Sequence, residues 1–145
     1  MSAEKKTPGS CLCGQVRYEL TGSALLDAIC HCPNCRKFSG SLFGAGGFYK
    51  HSQIAFLSGQ DQLKIYKDQN TDSGNLLHRA FCSNCGSYIS ITRVVNGVEA
   101  FGAIVSAGTL DLPSGEEWVP KKEIYCKNRT SWLPTFEGVA QEETM

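Results

Sequence analysis

At residues 81–86 the chain reads Phe81-Cys82-Ser83-Asn84-Cys85-Gly86. In a Cys-x-x-Cys-Gly segment the chain turns after the first cysteine, and the glycine lets the backbone fold back towards both sulfurs. A second pair of cysteines, Cys11 and Cys13, stands near the start of the chain and is followed by Gly14. Two such pairs supply the four thiolates of a closed tetrahedral zinc site. We therefore predict a structural zinc ion bound by Cys11, Cys13, Cys82 and Cys85.

This predicted zinc site would join the beginning of the domain to its middle. If Cys11 and Cys13 lie on a strand, they share one face and can point at one ion, because residues i and i+2 of a strand face the same way. Structural zinc of this kind contributes about 10–16 kcal/mol of apparent folding free energy. The alternative is that the same four cysteines form disulfides or stay as buried free thiols.

A second cysteine group reads Cys30-His31-Cys32-Pro33-Asn34-Cys35. It supplies three thiolates, whereas a closed structural site uses four protein ligands. A zinc ion with three protein ligands keeps its fourth position for water or substrate, so we predict that Cys30, Cys32 and Cys35 form an open, catalytic zinc site. The alternative is a second structural zinc, completed by His31 or by Cys126. Alternation along the strand turns His31 to the opposite face, where a packing role is expected, and we expect Cys126 to be a partly buried bystander.

The polar and apolar residues alternate in several short segments, which predicts β-strands. Residues 15–20, 63–66 and 88–91 follow this period of two. Asn96-Gly97 between valines predicts a tight hairpin, because both residues tolerate a positive φ. Only residues 32–39 have room for one short turn of helix. The sequence thus predicts a mainly antiparallel β fold.

The length of 145 residues fits one domain with a single core. We expect residues 1–9 to form a disordered lead-in, residues 10–138 to form the domain, and residues 139–145 to form an acidic tail that is frayed from Gln141 to Met145.

Composition excludes several classes of function. Lys plus Arg and Asp plus Glu both total 14, so no basic excess is available to neutralise nucleic-acid phosphates. The sequence contains no run of 18 apolar residues, so we predict no membrane span. Residues 1–9 are polar and do not resemble a signal peptide. Eight cysteines in such a chain indicate metal binding in a reducing compartment, and we expect a cytoplasmic protein.

Residues 9–18, 30–41 and 79–87, which contain all seven predicted zinc ligands, resemble the glutathione-dependent formaldehyde-activating enzymes and their centromere-protein-V-like relatives. The order, the spacing and the flanking residues of the cysteines agree with that family. The resemblance is specific from residue 9 to about residue 90 and continues more weakly to residue 138. Many members have a histidine before the Ile-Tyr pair near the C-terminus, where this chain has Glu123, and Cys126 follows that pair.

The resemblance implies an Mss4-like zinc-stapled β fold with two zinc ions per chain. It implies that the first cluster holds the structural ion and that the second holds a more labile one. It also implies a carbon–sulfur lyase that resembles S-(hydroxymethyl)glutathione synthase, with a small electrophile such as formaldehyde as substrate and glutathione as a possible co-substrate. Arg36 and Lys37 directly follow Cys35 and are candidate contacts for an anionic substrate, or else a solvated basic pair.

Two other functions stay open at this point. One is a zinc-dependent dehydratase or other lyase that does not use glutathione. The other is a non-catalytic binding module stabilised by zinc. The open three-cysteine site favours an enzyme acting on a small molecule, without nucleic acid or membrane partners.

Overall fold

The alternating segments form the strands of two sheets in a computed structural model, which describes residues 4–145. The smaller sheet has the strand order β1-β2-β5 and is antiparallel. Its strands are β1 (Lys6–Ser10), β2 (Arg17–Thr21) and β5 (Ile54–Ser58).

The larger sheet has nine strands in the order β12-β11-β3-β4-β10-β8-β7-β6, with β9 paired to β8. The neighbouring strands β3, β4, β10, β8, β7 and β6 are joined in that spatial order by antiparallel pairing. Strand β11 instead pairs in parallel with both β3 and β12. The strands are β3 (Leu26–Cys30), β4 (Gly44–Lys50), β6 (Leu63–Asp68), β7 (Leu76–Cys82), β8 (Tyr88–Val95), β9 (Val98–Glu99), β10 (Gly102–Ser106), β11 (Lys122–Ile124) and β12 (Ala140–Gln141). The prediction of a mainly antiparallel β fold is confirmed, with β11 as the parallel exception.

Helical structure is limited to short segments. The α-helix α1 (Pro33–Ser39) occupies the stretch where a short helix was predicted. Three-residue 3-10 turns follow at His51–Gln53, Gln60–Gln62, Ala107–Thr109 and Cys126–Asn128. Within residues 4–145 no helix is long and apolar enough to cross a membrane.

The buried core lies between the two sheets. Tyr18 and Leu20 of β2 pack with Tyr49, Ile89 and Val105 of the larger sheet. Cys11 and Cys82 belong to the same core, so the first cysteine cluster sits where the two sheets meet. The opposite face of the larger sheet is directed away from this core and borders a cavity.

Three sequence expectations need correction. Residues 6–9, expected to be disordered, belong to β1, because their backbone pairs with β2; residues 1–3 of that lead-in lie outside the described residues. The expected acidic tail is also paired, through β12 and through the bond from the Tyr125 amide to the Thr144 carbonyl. Cys11 and Cys13 lie in a turn after β1 rather than on a strand.

Candidate metal centres and the cavity beside them

The four-cysteine cluster gathers Cys11, Cys13, Cys82 and Cys85, whose Sγ atoms all lie within 4.8 Å of one another. The Sγ–Sγ distance is 3.5 Å between Cys11 and Cys13 and 3.8 Å between Cys13 and Cys82. A tetrahedral zinc ion with Zn–S bonds of about 2.3 Å separates its sulfurs by about 3.8 Å. The four thiols therefore fit a closed zinc site.

Two backbone turns aim these thiols at a common point. The Gly14 amide donates to the Cys11 carbonyl, and the Gly86 amide donates to the Cys82 carbonyl. Both glycines have a φ of 79°, a left-handed conformation that other residues adopt only with strain. The same turns bring the Val16 amide to 3.3 Å from Cys11 Sγ, where it donates to the sulfur.

Hydrogen bonds favour the thiolate form that zinc requires at two of the four positions. The Ser87 hydroxyl, 3.2 Å from Cys85 Sγ, is the main reason that the pKa of Cys85 falls to about 5. The Asn84 side chain and the Gln15 backbone lower the pKa of Cys13. Thiolates of this kind bind metal without a large cost of deprotonation at neutral pH.

The three-cysteine cluster is built where β3 ends and α1 begins. Cys30 is the last residue of β3, Cys32 is the N-cap of α1, and Cys35 lies in the first turn of that helix. Their Sγ atoms also lie within 4.8 Å of one another. Cys32 Sγ accepts a hydrogen bond from the Cys35 amide at 3.4 Å, which locks the turn between them. Three sulfurs at such spacing fit three corners of a tetrahedral zinc site.

One thiolate is favoured within this cluster. Hydrogen bonds from the Cys30 and Cys35 thiols, supported by the Cys35 amide and by Arg79, hold the pKa of Cys32 well below its ordinary value. The same contacts with Cys32 raise the pKa of Cys30. A metal ion would replace the shared protons and accept all three sulfurs as thiolates.

Neither proposed fourth ligand reaches this cluster. His31 is fully buried and points its Nε2 at Glu123 Oε1, 2.7 Å away. Cys126 Sγ lies 3.5 Å from Arg129 Nη2 and 3.4 Å from Gln141 Oε1. The described residues thus leave the cluster with three cysteine ligands.

Arg79 of β7 is a buried cation beside the three-cysteine cluster. Only 1% of its surface is exposed, and its Nε donates to Asp68 Oδ2 at 2.7 Å. Burial lowers the pKa of Arg79, but the neighbouring Cys35 and Asp68 outweigh burial and raise it. Among residues 4–145 neither Nη1 nor Nη2 has a partner with hydrogen-bond geometry. Arg79 therefore brings a buried positive charge to the site, next to the Cys35 sulfur.

Asp68 connects this arginine to the cysteine loop. Its two carboxylate oxygens accept from Asn34 Nδ2 at 3.0 and 2.9 Å, and Asn34 lies between Cys32 and Cys35. The Arg79 guanidinium also lies over the Phe38 ring of α1, 5.2 Å from its centroid. These contacts fix Arg79 relative to the cluster.

Tyr88 lines the same site and stays protonated at neutral pH. Burial is the main reason that its pKa is raised, and the nearby cysteines add to this effect. Its ring packs edge-on against Phe38, with centroids 4.8 Å apart. A neutral phenol can donate a hydrogen bond but does not act as a base at pH 7.

The three-cysteine cluster opens into a cavity of about 480 Å³. The walls come from strands β3, β4, β7, β8, β10 and β11 of the larger sheet, from the loop at residues 71–75, and from residues near the C-terminus, including Tyr125 and Met145. Cys30, Cys32, Cys35, Arg79 and Tyr88 form the end of this cavity, whereas the four-cysteine cluster does not border it. A second hollow along residues 56–61 contains no cysteine.

The candidate substrate contacts from sequence are not in the cavity wall. Arg36 and Lys37 lie on α1 outside the set of lining residues, and Lys37 is exposed. Sequence reasoning missed Arg79 and Asp68, although the Arg79-Ala80-Phe81-Cys82 run placed an arginine three residues before a metal ligand.

A second ion pair, between Glu123 and Arg129, connects to the cluster through His31, which lies between Cys30 and Cys32. Glu123 is fully buried between His31 and Arg129, and Arg129 Nη1 is 2.7 Å from Glu123 Oε1. Burial raises the pKa of Glu123, but hydrogen bonds from Arg129, Gln141, His31 and the Phe136 amide outweigh it and lower the pKa to about 2. The carboxylate thereby joins β3, β11 and the C-terminal segment.

Fold and clusters together define a small β protein with one closed and one open cysteine site, each of which fits zinc. Residues 6–128 match the family described as glutathione-dependent formaldehyde-activating enzyme, and the chain belongs to this family. A crystal structure of a Rhodobacter sphaeroides protein has the same fold, with a TM-score of 0.55 and 22% identity. That match covers 76% of this chain and 96% of the other. No curated protein matches the sequence.

Proposed function

We propose that this chain is a zinc-dependent enzyme of the carbon–sulfur lyase type, acting on a small electrophile such as an aldehyde, with glutathione as the candidate thiol. One observation carries the proposal: the three-cysteine cluster borders a cavity and the four-cysteine cluster does not. An ion held at the three-cysteine cluster is accessible to a small molecule, whereas an ion held at the four-cysteine cluster serves the fold.

Addition of a thiol to an aldehyde needs no oxidant or reductant. The sulfur forms a bond to the carbonyl carbon, the C=O double bond becomes a C–OH group, and the thiol proton ends on that oxygen. A zinc ion bound by three thiolates keeps one position for a substrate oxygen or thiolate and stabilises the negative charge there.

The residues around the cluster suit this chemistry. Arg79 supplies positive charge where negative charge develops on the oxygen, and Asp68 holds its guanidinium in place. The Tyr88 hydroxyl stays protonated and can donate a hydrogen bond to the same oxygen. In this proposal Arg36 and Lys37 act only from outside the cavity, by attracting an anionic substrate.

The cysteines also support a proposed location. Seven of the eight cysteines are gathered in the two clusters that fit metal, and Cys126 belongs to neither. Clustered thiols that hold metal are typical of a reducing compartment, and we propose that the protein is cytoplasmic.

Exchange NMR tests the proposed activity, because it measures how fast formaldehyde and glutathione interconvert with their adduct. We expect the zinc-loaded protein to accelerate the exchange and Cys32→Ser to abolish the acceleration. Cys126→Ser is the matched control and should retain it, since Cys126 is outside both clusters.

Two results would separate the alternatives. Acceleration with other electrophiles but not with formaldehyde and glutathione would indicate a lyase that does not use glutathione. If Cys32→Ser keeps full turnover on every substrate that the wild type accepts, the open site is not catalytic and a binding module is favoured.

A further inference from the structure

His31 lies between two of the three cysteines of the open cluster but does not line the cavity that they border. It is fully buried, and its ring packs edge-on against Phe43, with centroids 5.9 Å apart. Its backbone amide donates to the Ile124 carbonyl at 3.1 Å, and its Nε2 lies 2.7 Å from Glu123 Oε1. Strand β11 therefore holds the segment between the two cysteines through both the backbone and the side chain of His31.

Packing alone does not account for a histidine at this position. Its Nδ1 atom is buried and has no hydrogen-bond partner among residues 4–145. A buried polar atom without a partner destabilises a fold, and an apolar side chain of similar size would avoid that cost. Because the Glu123 carboxylate is ionised at neutral pH, it can only accept, so Nε2 of His31 is the donor in their hydrogen bond. His31 therefore serves the contact with Glu123.

The C-terminal segment, residues 129–142, fixes the Glu123 carboxylate in turn. Arg129 Nη1 lies 2.7 Å from Oε1. Gln141 Nε2 donates to Oε2, and the Phe136 amide donates to the same oxygen at 3.4 Å. Arg129 Nη2 also donates to Gln141 Oε1, so these two side chains hold each other. The orientation of the carboxylate that holds His31 thus depends on the C-terminal segment.

Thiols that are held in place before a metal ion arrives should bind it more tightly. When an ion orders a mobile loop, the lost conformational entropy weakens its binding. Groups that hold metal ligands from outside typically change metal affinity by about 10–100-fold. No hydrogen bond of the His31 or Glu123 side chain among residues 4–145 reaches the four-cysteine cluster. The effect should therefore be confined to the three-cysteine cluster.

We propose that Glu123 is a positioning residue of the three-cysteine cluster: through His31 it holds Cys30 and Cys32 where a zinc ion needs them. The C-terminal segment is then part of the metal site, although it contributes no cysteine to the cluster. The proposal rests on the proposed function only in requiring zinc at this cluster, and it does not depend on the lyase reaction.

His31→Leu removes the link and leaves Glu123 bound to Arg129 and Gln141, so the fold should be retained. Competition with a chelator of known affinity, read by native mass spectrometry, measures how tightly each zinc ion is held. We expect the ion at the three-cysteine cluster, which Cys32→Ser identifies by its loss, to bind at least about tenfold more weakly. The ion at the four-cysteine cluster should bind as in the wild type.

His78→Leu is the matched control for this variant. His78 also pairs with a glutamate, Glu99, at 3.0 Å, but it belongs to neither cluster and does not line the cavity. Both ions should bind this variant with wild-type affinity. Unchanged affinity at the three-cysteine cluster in His31→Leu would overturn the proposal. Equal weakening of both ions would also overturn it, because His31 would then serve the fold as a whole.

Glu123→Gln is a second variant, which keeps the shape of the side chain and the packing of His31. It should weaken the same ion by about tenfold and leave the other ion unchanged. Combining it with His31→Leu should cause little further weakening, since both changes break one link. Additive losses in the double variant would show that the two residues act separately and would contradict the proposal.

Gln141→Leu tests the contribution of the C-terminal segment. Loss of the hydrogen bond to Glu123 should weaken the ion at the three-cysteine cluster by about threefold. The same change in the Glu123→Gln background should have no further effect. Equal weakening in both backgrounds would contradict a route through Glu123. All these affinities are measured without turnover, so they remain interpretable if the lyase activity fails its own test.

Discussion

At the scale of residues, the site depends on charged side chains that are almost completely buried. Arg79 of β7 donates diagonally to Asp68 of β6, whose direct neighbour on β7 is Leu77. Glu123 connects His31 to Arg129. The sequence could not reveal these pairs, because charged residues are ordinarily exposed and nothing in the sequence marks these ones as buried. The cysteines could be predicted, since their spacing alone limits them to metal binding or disulfides.

The Glu123 pair should be important for stability. Glu123→Gln leaves Arg129 buried without its carboxylate, so we expect the free energy of unfolding to fall by about 3 kcal/mol. The contribution of the carboxylate is complete above its unfolded pKa of about 4.5 and is lost as the pH falls towards about 2, so denaturation in urea at pH 7 measures all of it.

Glu99→Gln is the matched control for this change. Glu99 also pairs with a histidine, His78, at 3.0 Å, but half of its side chain is exposed. We expect less than about 1 kcal/mol for that variant, as for other surface pairs. Equal losses in the two variants would contradict a special role for the buried pair.

At the scale of elements, local signals were reliable and long-range pairing was not. The hairpin predicted at Asn96-Gly97 joins β8 and β9, and both turn residues have positive φ. The short helix also formed where it was predicted. The parallel pairing of β11 with β3 could not be predicted, because it depends on contacts between segments about 90 residues apart rather than on periodicity.

The turn after Cys85 should depend on glycine. Gly86 has a φ of 79° with nothing within 4 Å of an added Cβ, so Gly86→Ala tests backbone strain alone. We expect a loss of about 1–2 kcal/mol in unfolding free energy, measured on the zinc-loaded protein. Gly108→Ala adds the same atom into open space where φ is not positive, and it should change stability by less than about 0.5 kcal/mol. A tolerated Gly86→Ala would contradict the account of this turn.

At the scale of the whole molecule, the two cysteine clusters have different surroundings and so should have different roles. The four-cysteine cluster ties the turn after β1 to the end of β7 and lies within the core between the sheets. The three-cysteine cluster lies on the other face of the larger sheet, beside the cavity. Sequence spacing predicted which cysteines group together, but the cavity and its apolar walls emerge only when six strands come together.

Zinc counting by native mass spectrometry, during stepwise treatment with a chelator, tests this division of roles most directly. We expect two zinc ions per chain, of which the first is lost quickly with the circular dichroism unchanged and the second is lost slowly together with the fold. Cys32→Ser should contain only the slow ion. Two ions that leave at the same rate, or a Cys32→Ser variant that still binds both, would contradict the assignment of one closed and one open site.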